Sequence, residues 1–276
     1  MTMSTAVSLE ARYKAVMERV ALAAERSGRT ARDILVVAVS KYAELEQIRE
    51  LIELGHRDFG ESRVQQMEQR AAIVEEMMGR KRELPSIGLD DESPLFPNDT
   101  PLKPGEMPSV RWHMIGSLQR NKTRKCIETA RLIHSIDSLR LIEEVQSVAF
   151  KLDRVVEVLV QVNCTGELQK GGCAVPAALH MCEQIDSLVH LRVRGLMTMG
   201  PTSMDPDETR EAFNRCREVF GDIRPHNLAD GRFNILSMGM SEDFELAIEC
   251  GANMVRIGSA IFGEPALPAD DDADND

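Results

Sequence analysis

The number of alternating strand-like and helix-like segments is the feature of this sequence that most limits its possible folds. Eight segments are predicted as strands, most of them apolar, and they are residues 33–40, 57–59, 110–115, 132–136, 155–162, 191–197, 234–238 and 253–257. Each is followed by a stretch with apolar residues at helical spacing, or in the last case by a brief turn. Eight such pairs close a parallel sheet into a barrel, whereas open doubly wound sheets usually have about five or six strands. The sequence therefore predicts an α/β fold, a single-domain (β/α)8 TIM barrel.

An additional helix is predicted before the first strand, because Leu9, Tyr13, Val16 and Val20 recur at helical spacing. No Gly-x-Gly-x-x-Gly turn connects a predicted strand to a helix, which argues against a dinucleotide-binding sheet. We therefore expect the barrel, with its extra N-terminal helix, to occupy residues 5–263.

Two segments lie outside this pattern. Residues 79–109 contain six of the twelve prolines and few apolar residues, which predicts a long loop. Because this insertion joins a helix to the next strand, it should lie on the N-terminal face of the barrel, away from an active site. Residues 264–276 are rich in aspartate, and such a block of like charge is typical of a disordered tail.

Charge and cysteine content exclude several classes of protein. The net charge of −12 argues against a protein that binds nucleic acid or anionic lipid through its overall field. No apolar run approaches the roughly 20 residues of a membrane span, so we expect a cytoplasmic protein. The six cysteines are dispersed without a Cys-x-x-Cys pair, which predicts buried thiols and no metal site.

The carboxyl ends of barrel strands carry the candidate functional residues. Lys41 follows a fully apolar strand, where the barrel interior could desolvate its ammonium and favour the neutral, nucleophilic amine. The alternative is an ordinary solvated loop lysine. His113, at the end of the third strand, either lines the pocket or is a satisfied core histidine.

Arg256 interrupts the last apolar strand, where an unpaired buried charge would be costly, so it needs an anion or a structural ion pair. Gly258 and Ser259 follow it at the start of a very short helix, and Ser237 and Gly239 lie in the preceding strand–helix loop. Phosphate sites of barrels commonly lie at these two loops. Ser241, by contrast, is interpreted as an ordinary helix N-cap. A phosphorylated aldehyde such as pyridoxal phosphate would explain Lys41 and both loops together.

Several motifs resemble one known family. They are Val39-Ser40-Lys41, Asp58-Phe59-Gly60-Glu61, Trp112-His113-Met114-Ile115-Gly116, Leu118-Gln119 with Asn121-Lys122, Gly195-Leu196-Met197-Thr198, Leu236-Ser237-Met238-Gly239-Met240-Ser241 and Arg256-Ile257-Gly258-Ser259-Ala260-Ile261-Phe262-Gly263. Together they span about residues 9–263 and are similar to the pyridoxal phosphate homeostasis proteins, single-barrel relatives of the alanine racemase N-terminal domain.

The resemblance implies a site in which Lys41 forms the internal aldimine, a Schiff base, with pyridoxal 5'-phosphate. It also implies that Ser237, Gly258 and Ser259 hold the phosphate and that Arg256 contacts the pyridine nitrogen, which suits only limited carbanion chemistry. Where the family usually has Asn-Tyr after Phe-Gly-Glu, this chain has Ser62 and Arg63. Ser62 therefore stands where the family has an asparagine that contacts the cofactor ring, and we expect Ser62 to be part of the cofactor site.

The implied function is storage, buffering or delivery of pyridoxal phosphate, by a monomer that passes the cofactor to apoenzymes and lacks robust racemase activity. Alanine racemases add a C-terminal domain that brings a second base, whereas here we expect only the acidic tail after the barrel, and therefore only half of a two-base racemase site. Three alternatives stay open at this point. They are an amino-acid racemase or lyase on the same cofactor, a cofactor-free Schiff-base aldolase that acts on a sugar phosphate, and an interaction protein that uses the insertion or the tail.

Overall fold

The computed structural model describes residues 7–79, 92–93, 95–97 and 109–264 of the chain. Within them, eight parallel strands close into a barrel, and the two-residue strand Cys173–Ala174 pairs with the fifth of these as an addition to the same sheet. Glu92–Ser93 and Phe96–Pro97 pair separately as a small antiparallel hairpin. The strands are β1 (Leu35–Val39), β2 (Asp58–Glu61), β3 (Arg111–Met114), β4 (Leu132–Ile136), β5 (Val156–Asn163), β6 (Leu191–Met197), β7 (Ile235–Ser237) and β8 (Met254–Ile257). Each strand pairs with its neighbours in the chain, and β8 pairs with β1 to close the ring. The predicted (β/α)8 barrel is therefore confirmed.

The helices surround this sheet in the expected order. They are α1 (Leu9–Arg26), α2 (Leu45–Glu53), α3 (Val64–Met77), α4 (Thr123–Thr129), α5 (Leu139–Lys151), α6 (Ala178–Asp186), α7 (Pro206–Ile223), α8 (Phe244–Glu249) and α9 (Ser259–Phe262). The predicted additional N-terminal helix is present as α1.

Two predicted boundaries are wrong, and side-chain capping explains the first of them. The first strand begins at Leu35 because residues 31–33 form a turn of 3-10 helix. Both the backbone N–H and the hydroxyl of Thr30 donate to the carboxylate of Asp33 at 2.8 Å, which stabilises that turn. The helix after the third strand, for which the sequence predicts residues 118–130, begins at Thr123, after a separate 3-10 turn.

Helix α1 packs against the last elements of the barrel and holds the carboxyl end of α9 in place. Val16 and Val20 on α1 are buried against the core. The guanidinium of Arg12 donates to the carbonyl oxygens of Ile261 at 2.8 Å and Phe262 at 3.1 Å. These are the carbonyls at the carboxyl end of α9, so Arg12 satisfies groups that the short helix leaves free. The N-terminal helix thus supports the loop that follows β8.

The apolar core has two layers, one between the sheet and the helices and one inside the barrel. The inner layer includes Leu132, Ile235 and Met254, which lie at the beginning of their strands. Leu95 and Phe96 of the insertion join it and are only 6% and 3% exposed. These residues confirm that the insertion meets the N-terminal face of the barrel. The sequence analysis did not predict that two of its residues would be part of the core.

Two further predictions, the disordered tail and the long loop, fall mainly on residues that the structure does not describe. The acidic tail beyond Glu264 lies outside the described residues, as does most of the segment 79–109. Across the described ranges, none of the helices combines the length and the apolar character required to cross a membrane.

Candidate functional site

The carboxyl ends of β1, β7 and β8 bring several predicted site residues to one edge of the barrel. Strands β1 and β8 are neighbours, with Val37 opposite Arg256. The backbone N–H of Arg256 donates to the carbonyl of Gly239 at 3.0 Å, which ties the β7 loop to β8. The loops that carry Lys41, Gly239 and Gly258 therefore leave the sheet side by side.

A buried polar cluster holds the backbone from which Lys41 projects. The fully buried hydroxyl of Ser40 donates to the Glu61 carboxylate at 2.6 Å. Arg70, on α3, donates to the same carboxylate, to the Ser40 carbonyl and, at 2.8 Å, to the Ala43 carbonyl. Burial raises the pKa of Glu61 above its ordinary value, although the charge of Arg70 opposes this shift. The sequence analysis did not identify Arg70, because it lies inside a helix with no motif around it.

The side chain of Lys41 points to the accessible side of this edge. It is partly exposed, and its Nζ lies 4.4 Å from the ring centroid of Tyr42, a cation–π distance. The side chain is therefore not enclosed in the barrel interior, where its position after an apolar strand predicted it. Lys41 and Tyr42 form a turn just after β1.

Arg256 is a buried cation that makes no ion pair with a carboxylate in the part of the chain that the structure describes. Its guanidinium donates instead to the hydroxyl of Ser237 at 2.7 Å and to the carbonyl of Thr198 at 2.9 Å. Burial lowers the pKa of Arg256 to about 10, and the charge of Asp243 acts in the opposite direction. The group therefore stays charged at neutral pH, and the predicted alternative of a structural ion pair is not what these contacts show.

The hydroxyl of Ser241 lies at the loops after β7 and β8, where the sequence predicts a phosphate site. It accepts hydrogen bonds from the backbone N–H groups of Gly258 at 3.1 Å and Ala260 at 3.3 Å. The interpretation of Ser241 as a helix N-cap is wrong, because α8 begins at Phe244 with Asp243 as its N-cap. The N–H groups at the start of α9 have no partner inside that helix, and the serine oxygen satisfies them.

Two glycines shape this edge differently. Gly239 has φ of +92°, and a Cβ there would lie 2.5 Å from the Cβ of Ala247, so only glycine fits. At Gly258 a Cβ would lie 3.4 Å from Val39, an ordinary contact. Ser259, partly exposed, begins α9. That Gly239, Gly258 and Ser259 hold a phosphate stays a prediction, and their common edge is consistent with it.

Two other predicted contacts, Ser237 and His113, lie inside the barrel and are fully buried. The Ser237 hydroxyl accepts from Arg256 and lies 3.2 Å from Nδ1 of His134. His113 lies between Asp58, 2.9 Å from its Nε2, and His134, 3.0 Å from its Nδ1. Both ring nitrogens are thus engaged within the protein, which is the arrangement of the core histidine that the sequence left as an alternative.

Ser62 lies at the turn between β2 and α3 and is partly exposed. Its backbone packs closely on the loop after β3, because a Cβ at Gly116 would lie only 2.3 Å from the Ser62 carbonyl oxygen. The structure therefore joins the loops after β2 and β3, and the role of Ser62 as a ring contact stays a prediction.

The cysteines are buried side chains of the core. All six are free and buried, as the sequence predicted. Burial raises the pKa of the Cys126 and Cys182 thiols far above the ordinary value, which makes them inert. Over the described ranges no group of three or more His, Cys, Asp or Glu side chains is placed to hold a metal ion.

Comparison with known proteins identifies the family. The family model described as "Alanine racemase, N-terminal domain" matches residues 12–265. The chain is 34% identical over 254 residues to a pyridoxal phosphate homeostasis protein of Aquifex aeolicus, and the match covers 92% of this chain and 96% of that protein. It is also 34% identical over 262 residues to the protein of the same name from Mycobacterium leprae, which covers 91% of each chain.

Solved structures agree with this assignment. The barrel is similar to that of PipY from Synechococcus elongatus with pyridoxal phosphate bound, with a TM-score of 0.66 and 30% identity over 90% of this chain and 100% of PipY. The same protein without the cofactor gives a TM-score of 0.70. Sequence and structure therefore agree that this chain belongs to the pyridoxal phosphate homeostasis protein family, within the wider family of the alanine racemase N-terminal domain.

Proposed function

We propose that this protein binds pyridoxal 5'-phosphate and acts in its homeostasis, by storing, buffering or delivering the cofactor through a reversible covalent link to Lys41. The observation that carries the proposal is Arg256, a buried guanidinium beside the Lys41 loop that has no carboxylate partner in the described residues. A neutral acceptor such as a pyridine nitrogen would satisfy one of its remaining N–H groups. The names of the relatives and the ligand of PipY support the same cofactor.

The phosphate end of the cofactor fits the edge formed by the loops after β7 and β8. The N–H groups of Gly258 and Ala260 converge on one oxygen, the Ser241 hydroxyl, in the geometry that would bind a phosphate oxygen. The left-handed turn at Gly239 brings the two loops together. The hydroxyl hydrogen of Ser241 is free to rotate, so Ser241 can accept from these N–H groups and donate to a phosphate oxygen at the same time.

The ring end would lie over Arg256, whose guanidinium stays protonated at neutral pH. Because arginine can only donate, the pyridine nitrogen would remain an unprotonated acceptor, and the ring would be a weak electron sink. This arrangement suits binding and release more than it suits carbanion chemistry. It supports a protein of homeostasis without robust racemase activity.

When bound, the cofactor supplies an aldehyde carbon with which a primary amine reacts reversibly. Lys41 provides that amine from a partly exposed position, and Glu61 with Arg70 holds its backbone in place. Because the amine is accessible, a cofactor held there could exchange with solvent or with an acceptor protein. We propose that PLP-dependent apoenzymes receive it, and that the protein is a cytoplasmic monomer.

A visible spectrum of the purified protein before and after borohydride treatment tests the proposal. We expect a yellow protein whose absorption band disappears on reduction, with the cofactor then fixed to Lys41 in a tryptic peptide. A colourless protein that does not take up added pyridoxal phosphate would contradict the proposal. Sustained interconversion of L- and D-amino acids, followed by chiral chromatography, would instead favour the racemase.

Replacement of Ser241 by aspartate is expected to weaken binding of pyridoxal phosphate about ten-fold or more. The new carboxylate would accept the N–H groups of Gly258 and Ala260 and would repel the phosphate at about 4 Å. Dissociation constants from absorbance titration measure the effect. Pyridoxal without its phosphate is the control ligand and should bind both proteins equally; equal weakening for the two ligands would assign the loss to a general distortion.

A further inference from the structure

A chain of five hydrogen-bonded side chains crosses the interior of the barrel and ends on Arg256. It runs from Asp58 on β2 through His113 on β3, His134 on β4 and Ser237 on β7 to Arg256 on β8. The successive distances are 2.9 Å, 3.0 Å, 3.2 Å and 2.7 Å. None of these five residues is more than 4% exposed, so the chain lies in the interior of the barrel.

The proton positions along this chain follow from its acidic end. Asp58 is ionised, because the charge of Arg111 and the hydrogen bond from His113 outweigh its burial and hold its pKa far below the ordinary value. An ionised carboxylate only accepts, so Nε2 of His113 must donate to it. Burial, the largest effect, lowers the pKa of His113, so the ring is neutral and its Nδ1 accepts. Nε2 of His134 is then the donor across the 3.0 Å contact.

The contacts at the Arg256 end of the chain require the same direction of hydrogen-bond donation. Burial, together with the charge of Arg256, lowers the pKa of His134 well below its ordinary value, so this ring is also neutral. Because its Nε2 donates, its Nδ1 accepts from the Ser237 hydroxyl. The Ser237 oxygen then accepts from Arg256, which can only donate. One set of tautomers satisfies every contact, and every donor points from Arg256 toward Asp58.

We propose that His134 and His113 are positioning residues for Arg256, which hold its guanidinium in the orientation that meets the ring nitrogen of the bound cofactor. The inference rests on the proposed function for that contact. Aligned hydrogen bonds polarise one another, so the chain makes the Ser237 oxygen a stronger acceptor for the guanidinium. With Thr198 holding a second nitrogen of Arg256 at 2.9 Å, the guanidinium plane is fixed at two points.

The charges that face the histidines favour this neutral, directed state. Arg111 and Arg131 approach His113, Arg256 approaches His134, and Asp58 supplies the one opposing charge in the chain. Three nearby cations disfavour an imidazolium. A protonated His113 would donate at both nitrogens and would force His134 into the opposite tautomer. The surroundings therefore support the same tautomers as the hydrogen-bond count.

Imidazole ¹⁵N spectra of the cofactor-free protein test the chain directly. We expect both His113 and His134 as neutral Nε2–H tautomers at pH 7. A protonated Nδ1 on His134, or a doubly protonated ring at either position, would overturn the proposal. Because no cofactor is present, this result does not depend on whether pyridoxal phosphate binds.

Two substitutions of His134 separate its two contacts. The amide oxygen of asparagine lies as many bonds from the backbone as Nδ1, so His134→Asn keeps an acceptor for Ser237. The amide nitrogen of glutamine corresponds to Nε2, so His134→Gln keeps the contact to His113 but loses the acceptor. We expect His134→Gln to weaken cofactor binding about ten-fold and to move the absorption maximum of the bound cofactor. His134→Asn, which loses only the polarisation from His113, should weaken binding about two-fold.

Equal affinity and an unmoved absorption band in a folded His134→Gln would overturn the role of the histidine. If both variants fail to fold, the ¹⁵N spectra of the wild type decide. Failure of the proposed function gives a different pattern, since wild-type protein would then show the expected tautomers and yet take up no pyridoxal phosphate.

Discussion

Replacement of Lys41 by alanine should reduce the affinity for pyridoxal phosphate by roughly 100-fold or more and abolish the absorption band of the amine-linked cofactor. The covalent link needs a primary amine at this position. Without it, the cofactor would be held only by the non-covalent phosphate and ring contacts, which are weaker. The measurement is cofactor stoichiometry after gel filtration, together with the visible spectrum. A variant that retains one cofactor per chain and the same band would refute the role of Lys41.

Two control variants make this result specific. Lys41→Arg keeps a positive charge beside the Tyr42 ring but lacks a nucleophilic amine, so it should lose the band in the same way. Lys151→Ala removes an exposed lysine at the end of α5 and should bind the cofactor as the wild type does. If Lys41→Arg retained the absorption band, charge rather than covalent chemistry would explain the contribution of Lys41.

The barrel and its closed order could be predicted from the sequence because most strands are short and apolar and are followed by a helical pattern. The prediction needed only the count of these units and the rule that parallel strands close with eight of them. Boundaries were less accurate where a local cap competes with the strand, as at Thr30 and Asp33. A run such as Ile34–Val39 shows no sign of the capping turn that precedes it.

The candidate site was predicted in part for the same reason. Lys41, Gly239 and Arg256 follow from strand ends and from a charge inside an apolar strand. The position of Ser241 could not be predicted, because its partners Gly258 and Ala260 lie 17 and 19 residues away and meet it only in the folded barrel. Nor could the role of His134, which is 103 residues from Ser237. No sequence pattern around a single histidine in a strand shows which residue it will hydrogen-bond in the folded barrel.

The N-terminal face of the barrel carries a buried charge cluster that the sequence analysis also missed. Glu157, at the start of β5, accepts from Arg131 at 2.6 Å and from Arg194 at 2.7 Å. Arg194 also donates to the Leu95 carbonyl at 2.6 Å. The ring of Phe96 lies 4.7 Å from the guanidinium of Arg131, at a cation–π distance. One carboxylate thus holds two arginines and, through them, the insertion.

Replacement of Glu157 by alanine should lower the free energy of unfolding by about 3–5 kcal/mol. The Glu157 side chain is fully buried, and its loss would leave two arginines that are at most 10% exposed without their shared partner. Urea denaturation at pH 7 measures the change. Glu53→Ala is the matched control, because its partner Arg49 and Glu53 itself are exposed at 65% and 64%, and its loss should change stability by no more than about 0.5 kcal/mol.

The Glu157 carboxylate also makes the free energy of unfolding depend on pH, and the direction of this dependence follows from its pKa. Burial by itself would raise the pKa of Glu157, but the charges of Arg131 and Arg194 together outweigh burial and lower it. A carboxyl group with a lowered folded-state pKa stabilises the fold fully above its unfolded pKa of about 4.3, and this contribution disappears as the pH falls through the folded value. The stability difference between wild type and Glu157→Gln should therefore be constant from pH 8 to about pH 5 and narrow below about pH 4. A difference that widened on acidification would mean that Glu157 is protonated in the folded barrel and that the two arginines are held by other groups.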